Sequence, residues 1–147
     1  MTKRRKITEA LATLFQNSLT GDDPYQTNLY GNSYAKLKFW DEIQDFPSVY
    51  ITPGMEMREY LPGEFAWGML SISLKAYCRG EESQDELEQL LADIELCLDN
   101  NRRIIYDSET LEETTEILIT SITTDEGLLA PYAIGEINLQ VRYQATA

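Results

Sequence analysis

The chain contains no histidine in 147 residues. Ser-His-Asp and Cys-His nucleophile arrangements, His-ligated zinc and the commonest general base are therefore all absent. Cys78 and Cys97 are too far apart to form a C-x-x-C pair. One lies on an alternating strand pattern and the other beside Leu98 on a helical one, so both read as buried, inert thiols. The eight glycines never fall into the G-x-x-x-x-G-K-[ST] or G-x-G-x-x-G spacing that cradles phosphate. Asp22-Asp23 lacks the alternating oxygen ligands of a calcium loop. Glu81-Glu82, Glu112-Glu113 and Asp125-Glu126 offer carboxylate pairs for hydrolysis, but any acidic surface produces such pairs. No cofactor and no metal set is expected. Trp40 and Trp67, with the tyrosines, remain as pocket-lining candidates, although aromatic residues at strand and helix spacing more often form core.

Charge is the more informative property. Twelve Lys and Arg stand against 25 Asp and Glu, for a net charge of −13. Lys3, Arg4, Arg5 and Lys6 supply four of those cations at the N-terminus, so the rest of the chain is more acidic still. Between Glu81 and Glu116 the carboxylates, among them Glu81, Glu82, Asp85 and Glu88, are opposed only by Arg102 and Arg103. Such a run forms either a solvated face or a wall that repels a polyanion. Groove or single-strand binding to nucleic acid needs a basic stripe, and none follows the N-terminus. No apolar run reaches the roughly 18 residues of a membrane span, and the amphipathic start with Glu9 differs from a signal peptide. The sequence reads as that of a cytosolic protein.

The elements that must carry these residues follow from hydrophobic period. Ile7, Leu11, Leu14, Phe15 and Leu19 predict an amphipathic helix between Thr8 and Thr20, ended by Gly21. Residues 1–6 precede it as a basic arm, whose cations oppose the helix dipole and so point to contact or solubility. Residues 21–35 predict a long loop carrying Tyr25, Tyr30 and Tyr34. Loops of about 15 residues are usually functional or disordered. The tyrosines either order against a partner or fold back over their own core. Phe39, Ile43 and Phe46 predict a short helical segment stopped by Pro47. A strand over Ser48–Thr52, a Pro53-Gly54 turn and an extended Met55–Leu61 come next. In 64–79, Leu70, Ile72, Leu74, Ala76 and Cys78 alternate with polar neighbours, the period of a half-buried antiparallel strand.

Ser83-Gln84-Asp85-Glu86 reads as a capping box opening a helix with Leu87, Leu90, Leu91, Ile94 and Leu98 on one face. Strands over Glu116–Thr124 and Ala133–Gln144 finish the chain, the latter placing Ile137, Leu139, Val141 and Tyr143 on one face. The expectation is a single domain, 1–147, of the α+β class: one mostly antiparallel sheet with two amphipathic helices packed on it and a long loop after the first helix.

The order of these elements carries further detail: Phe46-Pro47-Ser48-Val49-Tyr50-Ile51 with a Gly-containing turn and a Glu after it, a strand ending Ala76-Tyr77-Cys78-Arg79, a leucine-rich acidic helix, and a last strand with Gly135-Glu136, Val141 and Tyr143. From about Arg4 to Tyr143 the chain resembles the tail terminator, or tail-completion, proteins of long-tailed bacteriophages. That resemblance implies a structural virion protein and not an enzyme. It implies a homohexameric ring that caps the head-proximal end of the tail tube, stops its polymerisation and provides the head-docking surface. DNA would pass through an acidic lumen without specific binding. The implied partners are further copies of the chain, the tail tube protein and the head–tail connector protein, with no membrane. The implied location is the virion tail, assembled in the host cytoplasm.

A ring built head to tail needs two different patches on each subunit. Candidates are the loop residues Tyr25, Tyr30 and Tyr34 and the arm residues Lys3, Arg4, Arg5 and Lys6. Glu81, Glu82, Asp85 and Glu88 are candidates for the lumen or an acidic surface. Taken without the resemblance, the residues leave open a monomeric or dimeric small-molecule binding domain around Trp40 and Trp67, and a carboxylate-dependent hydrolase.

Overall fold

Two helices with one apolar stripe each and long strands with one apolar face can all be buried by a single two-layer packing. The computed structural model, which describes residues 1–146, has that arrangement. Its elements are α1 (Lys3–Ser18), β1 (Ser33–Tyr34), a 3-10 turn (Trp40–Glu42), β2 (Ser48–Leu61), β3 (Phe65–Arg79), α2 (Ser83–Asn100), β4 (Glu116–Thr124) and β5 (Tyr132–Thr146). The strands form one five-stranded sheet in the order β1-β2-β3-β5-β4. The pairs β2–β3, β3–β5 and β5–β4 are antiparallel, and only the two-residue β1 runs parallel to its neighbour. The fold is α+β with a mostly antiparallel sheet, as its patterning predicts.

Both helices cover the same face. Ile7, Leu11 and Phe15 of α1 and Leu87, Leu90 and Ile94 of α2 pack over Leu70, Ile72 and Leu74 of β3 and Ile137, Leu139, Val141 and Tyr143 of β5, all buried. Gly68 is required by this packing: a Cβ there would stand 2.7 Å from the Tyr143 ring, which lies against the β3 backbone. On the opposite face a smaller cluster of Ile43, Tyr50 and Tyr77, flanked by Tyr34, Phe46 and Ile134, covers one end of the sheet. The rest of that face has no layer over it among the described residues.

Four local expectations give way to tertiary structure. The helix begins at Lys3, with Thr2 Oγ1 accepting from the Arg5 N–H at 3.1 Å, so Lys3 to Lys6 form its first turn and not a free arm. Pro53-Gly54 is not a turn. β2 runs through it with a register shift between Pro53 and Glu56, and a bulge is where a strand tolerates a residue lacking an N–H. The capping box does not form, because Ser83 is already helical and buried and the cap position falls to Glu82, which makes no side-chain cap bond. The segment around Phe39 to Phe46 keeps only the 3-10 turn, since Ile43 and Phe46 are drawn onto Tyr50 and Tyr77.

The long loop is ordered against its own domain. Leu29 is buried, Thr20 bridges Asn28, and the buried Asp93 carboxylate accepts the N–H groups of Gln26 (3.2 Å) and Thr27 (2.8 Å).

Candidate functional site

The four N-terminal cations all find partners inside the chain. Lys3 Nζ lies 2.7 Å from Glu112 Oε2 and donates to the Gln144 carbonyl at 3.1 Å. Arg4 donates to the Gly54 carbonyl, and Arg5 donates to the Ala35 carbonyl while pairing with Glu9 at 2.7 Å. Lys6 Nζ lies 2.6 Å from Asp107 Oδ2. That hydrogen bond, with the N–H groups of Thr110 and Glu109, holds the Asp107 carboxyl down at about 2, and it raises Lys6 in return. Lys3 likewise lowers Glu112. The first turn of α1 is thus fastened to the 104–114 loop on one side and to β2 and the exit of β1 on the other.

The three loop tyrosines do not share a surface. Tyr25 is half-buried against the main core, where desolvation raises its phenol. Tyr34 is half-buried beside Tyr50, ring centroids 5.1 Å apart, and donates to Asn32 Oδ1 at 3.1 Å. Tyr30, at φ 51° and 75% exposed, is the one presented to solvent.

The acidic candidates stay together. Glu81, Glu82, Asp85 and Glu88 are exposed at the start of α2, directly after β3, and enter none of the ion pairs among the described residues. Arg102 is engaged by Asp99 (3.7 Å) and Glu116 (3.9 Å), and Arg103 by Glu113 (3.9 Å). The acid at the opening of α2 is therefore uncompensated.

Trp40 and Trp67 are not brought together. Trp40 stands edge-on to Tyr132, centroids 5.4 Å apart, at the end of the sheet where Tyr132 pairs with Arg79. Trp67 lies about 40 Å away along β3, edge-on to Phe65 (centroids 4.9 Å apart) with the Arg142 guanidinium over its ring (4.5 Å to the centroid). A pocket shared by the two is excluded.

Sequence reasoning missed the far half of the β2–β3 hairpin. Past Tyr50 no strand among the described residues lies on the outer side of β2, and Met55 (67%), Met57 (58%) and Tyr60 (70%) are exposed there. Glu56 turns inward instead, accepting from the Tyr143 hydroxyl and from Arg58 Nε at 2.7 Å. The available signal was a run, Met55 to Leu61, mixing apolar and charged residues on both faces between two Pro-Gly pairs. Beside the hairpin, the uncovered sheet face presents small neutral groups: Thr52, Ser71, Ser73 and Asn138 line a shallow groove. Ser73 Oγ donates to Glu136 at 2.7 Å, and Asn138 Nδ2 donates to Ser121 Oγ at 3.0 Å. This surface holds no cluster of metal-ligating side chains among the described residues.

Known proteins share this chain's sequence and fold. Residues 1–147 match the family described as Bacteriophage Tail Tube Terminator Protein. The tail tube terminator protein p142 of Escherichia phage T5 is 37% identical over 153 aligned positions, spanning 98% of this chain and 95% of that one. Among solved structures, a chain in the virion of a native gene transfer agent particle superposes with a TM-score of 0.60 at 11% identity. That superposition covers 92% of this chain and 96% of the other, and it shows a shared fold. Full-length agreement with the family and with p142 settles the placement: the chain belongs to the bacteriophage tail tube terminator family.

Proposed function

We propose that six copies of this protein form a ring that caps the head-proximal end of the tail tube, stops tube polymerisation and offers its other face to the head–tail connector. Membership of the terminator family makes the chain a structural component of the phage tail and not an enzyme. The finer assignment is supported by the uncompensated carboxylates Glu81, Glu82, Asp85 and Glu88 at one end of a chain of net charge −13. Six copies about one axis turn that cluster into a circle of negative potential. A polyanion threading the circle would be repelled from the wall and kept moving, because a low-dielectric rim of one sign focuses the field. Of the residues considered for subunit contact, Tyr30 remains a candidate. Lys3, Arg4, Arg5 and Lys6 serve first to hold α1 in place.

The test is a polymerisation assay on the cognate tube protein. With substoichiometric terminator present from the start, tubes should stop at a shorter mean length, and pre-grown tubes should cease to extend at one end. Tubes that grow to the same length with and without the protein would contradict the proposal.

A further inference from the structure

We infer that neighbouring copies join through antiparallel pairing of β4 of one copy with the free edge of β2, Met55–Leu61, of the next, so that their sheets continue into one another. The inference rests on the ring proposed above and names its joint.

Among the described residues two stretches of lateral edge, β2 beyond the bulge and β4, have no strand against them. β1 touches β2 only at Val49 and Tyr50, so the outer N–H and C=O groups of β2 beyond the bulge meet no strand. Met55, Met57, Tyr60 and Leu61 are exposed there. At the other side β4 is the outermost strand, nine residues long and exposed from Thr120 to Thr123. Monomeric proteins blunt such edges with very short strands, prolines and charges, because an open edge is a template for another chain. Here β4 has neither charge nor proline from Ile117 to Thr124, and its Ile and Thr residues favour extended backbone.

Charge selects the occupant. On a chain of net charge −13 two copies repel each other across most of their surfaces. The uncharged β4 is an exception. So is the free part of β2, where Arg58 lies 2.7 Å from Glu56 and leaves only Glu59 unmatched. These are the places where a second copy can approach closely.

Strand direction then selects the symmetry. β2–β3, β3–β5 and β5–β4 are each antiparallel, so β4 runs opposite to β2. A rotation about an axis lying roughly along the strands preserves their direction and sets β4 of one copy antiparallel to β2 of the next, the commoner and slightly more stable pairing. A two-fold contact would pair β2 with β2 or β4 with β4 and leave the remaining edge of each copy bare. Only the head-to-tail contact uses both, and it closes when the rotation does. Through the ladder Glu116 is level with Arg142, Met69 and Met57, whereas the free edge extends to Leu61. Full overlap therefore needs a stagger of about four residues per joint, the kind of shear a closed sheet of tilted strands requires.

The test is a disulfide ladder. With that stagger Leu118 of one copy lies beside Glu59 of the next, and both are exposed, while Cys78 and Cys97 are buried. The double variant Glu59→Cys/Leu118→Cys, assembled on tube ends and mildly oxidised, should give covalent species from two to six chains, while either single variant gives none above a dimer. The one-step neighbours Glu59→Cys/Glu116→Cys and Leu61→Cys/Leu118→Cys guard against an error in the stagger. Six-chain rings seen by electron microscopy with no cross-link from any of the three pairs would overturn the edge pairing and leave the ring standing. Efficient dimers from Glu59→Cys alone would overturn it in favour of a two-fold contact. Absence of rings would overturn the ring and the joint together. As a check free of cysteines, Leu118→Lys should weaken association at least tenfold while the thermal midpoint of the monomer moves little, and unchanged association would also overturn the pairing.

Discussion

At the scale of single residues, the side chains that look most like a binding site are fasteners. Lys6 and Asp107 form an ion pair at 2.6 Å whose carboxylate, bonded also by two backbone N–H groups, is held at about 2, well below the usual carboxylate range. A carboxyl whose folded value is depressed adds stability that is fully present above its unfolded value and lost as pH falls through its folded one. We therefore expect the native protein to lose stability between about pH 4 and pH 2. Asp107→Asn should flatten that part of the curve, measured as thermal midpoint against pH. Gly68 makes a second residue-scale case. Gly68→Ala forces a Cβ to within 2.7 Å of the Tyr143 ring and should destabilise by about 1–3 kcal/mol in urea unfolding. No loss would mean that the ring can move aside. The basic cluster could not have been assigned from sequence, because Lys3 and Lys6 meet Glu112 and Asp107 roughly a hundred positions away. Local pattern shows four cations opposing a helix dipole and nothing of the carboxylates that answer them.

At the scale of elements, legibility tracks how much of the environment is periodic. α2 and the buried faces of β3 and β5 were readable because Leu87 to Leu98 and Leu70 to Cys78 repeat a stripe that only one packing buries. β2 was not. Pro53-Gly54 is strong turn chemistry in isolation, and only the ladder to β3 on both sides of the bulge carries the strand through it. Ser83 carries the cap signature but is drawn into the helix and buried. The loop after α1 was legible in extent but not in role. Its order depends on Asp93, whose carboxylate replaces a missing backbone partner for Gln26 and Thr27. Asp93→Ala removes the acceptor of both N–H groups; the half-buried Thr27 amide loses more than the exposed Gln26 amide, which water can reach, for a cost of about 1 kcal/mol. Hydrogen exchange at both amides should accelerate well before the strands open. Equal protection in native and variant would assign the loop's order to Leu29 and Tyr25 instead.

At the scale of the whole molecule, the excess of acid governs assembly. In the proposed ring six like-charged copies would repel one another, and raising ionic strength from about 0.01 M to 0.15 M shortens the screening length from about 30 Å to about 8 Å. We expect self-association, followed by light scattering, to strengthen over that range. Weakening with salt would mean that charge pairs between copies hold the ring, in place of the uncharged edges. Tyr30→Ala removes an exposed ring and should shift folding stability by no more than about 0.5 kcal/mol while reducing association, and unchanged association would remove the loop from subunit contact. The Trp40 and Trp67 reading fails at this same scale: spacing in sequence gives no hint that the two indoles stand at opposite ends of β3, and the length of the strand separates them.

A protein proposed to end a tube by forming a ring on it is tested most directly by imaging. Cognate tail tubes incubated with the purified protein and examined by electron microscopy should carry one ring of six-fold symmetry, at one end only, on tubes that no longer lengthen. Bare ends on tubes that go on growing, or protein scattered along the tube walls, would contradict that proposal.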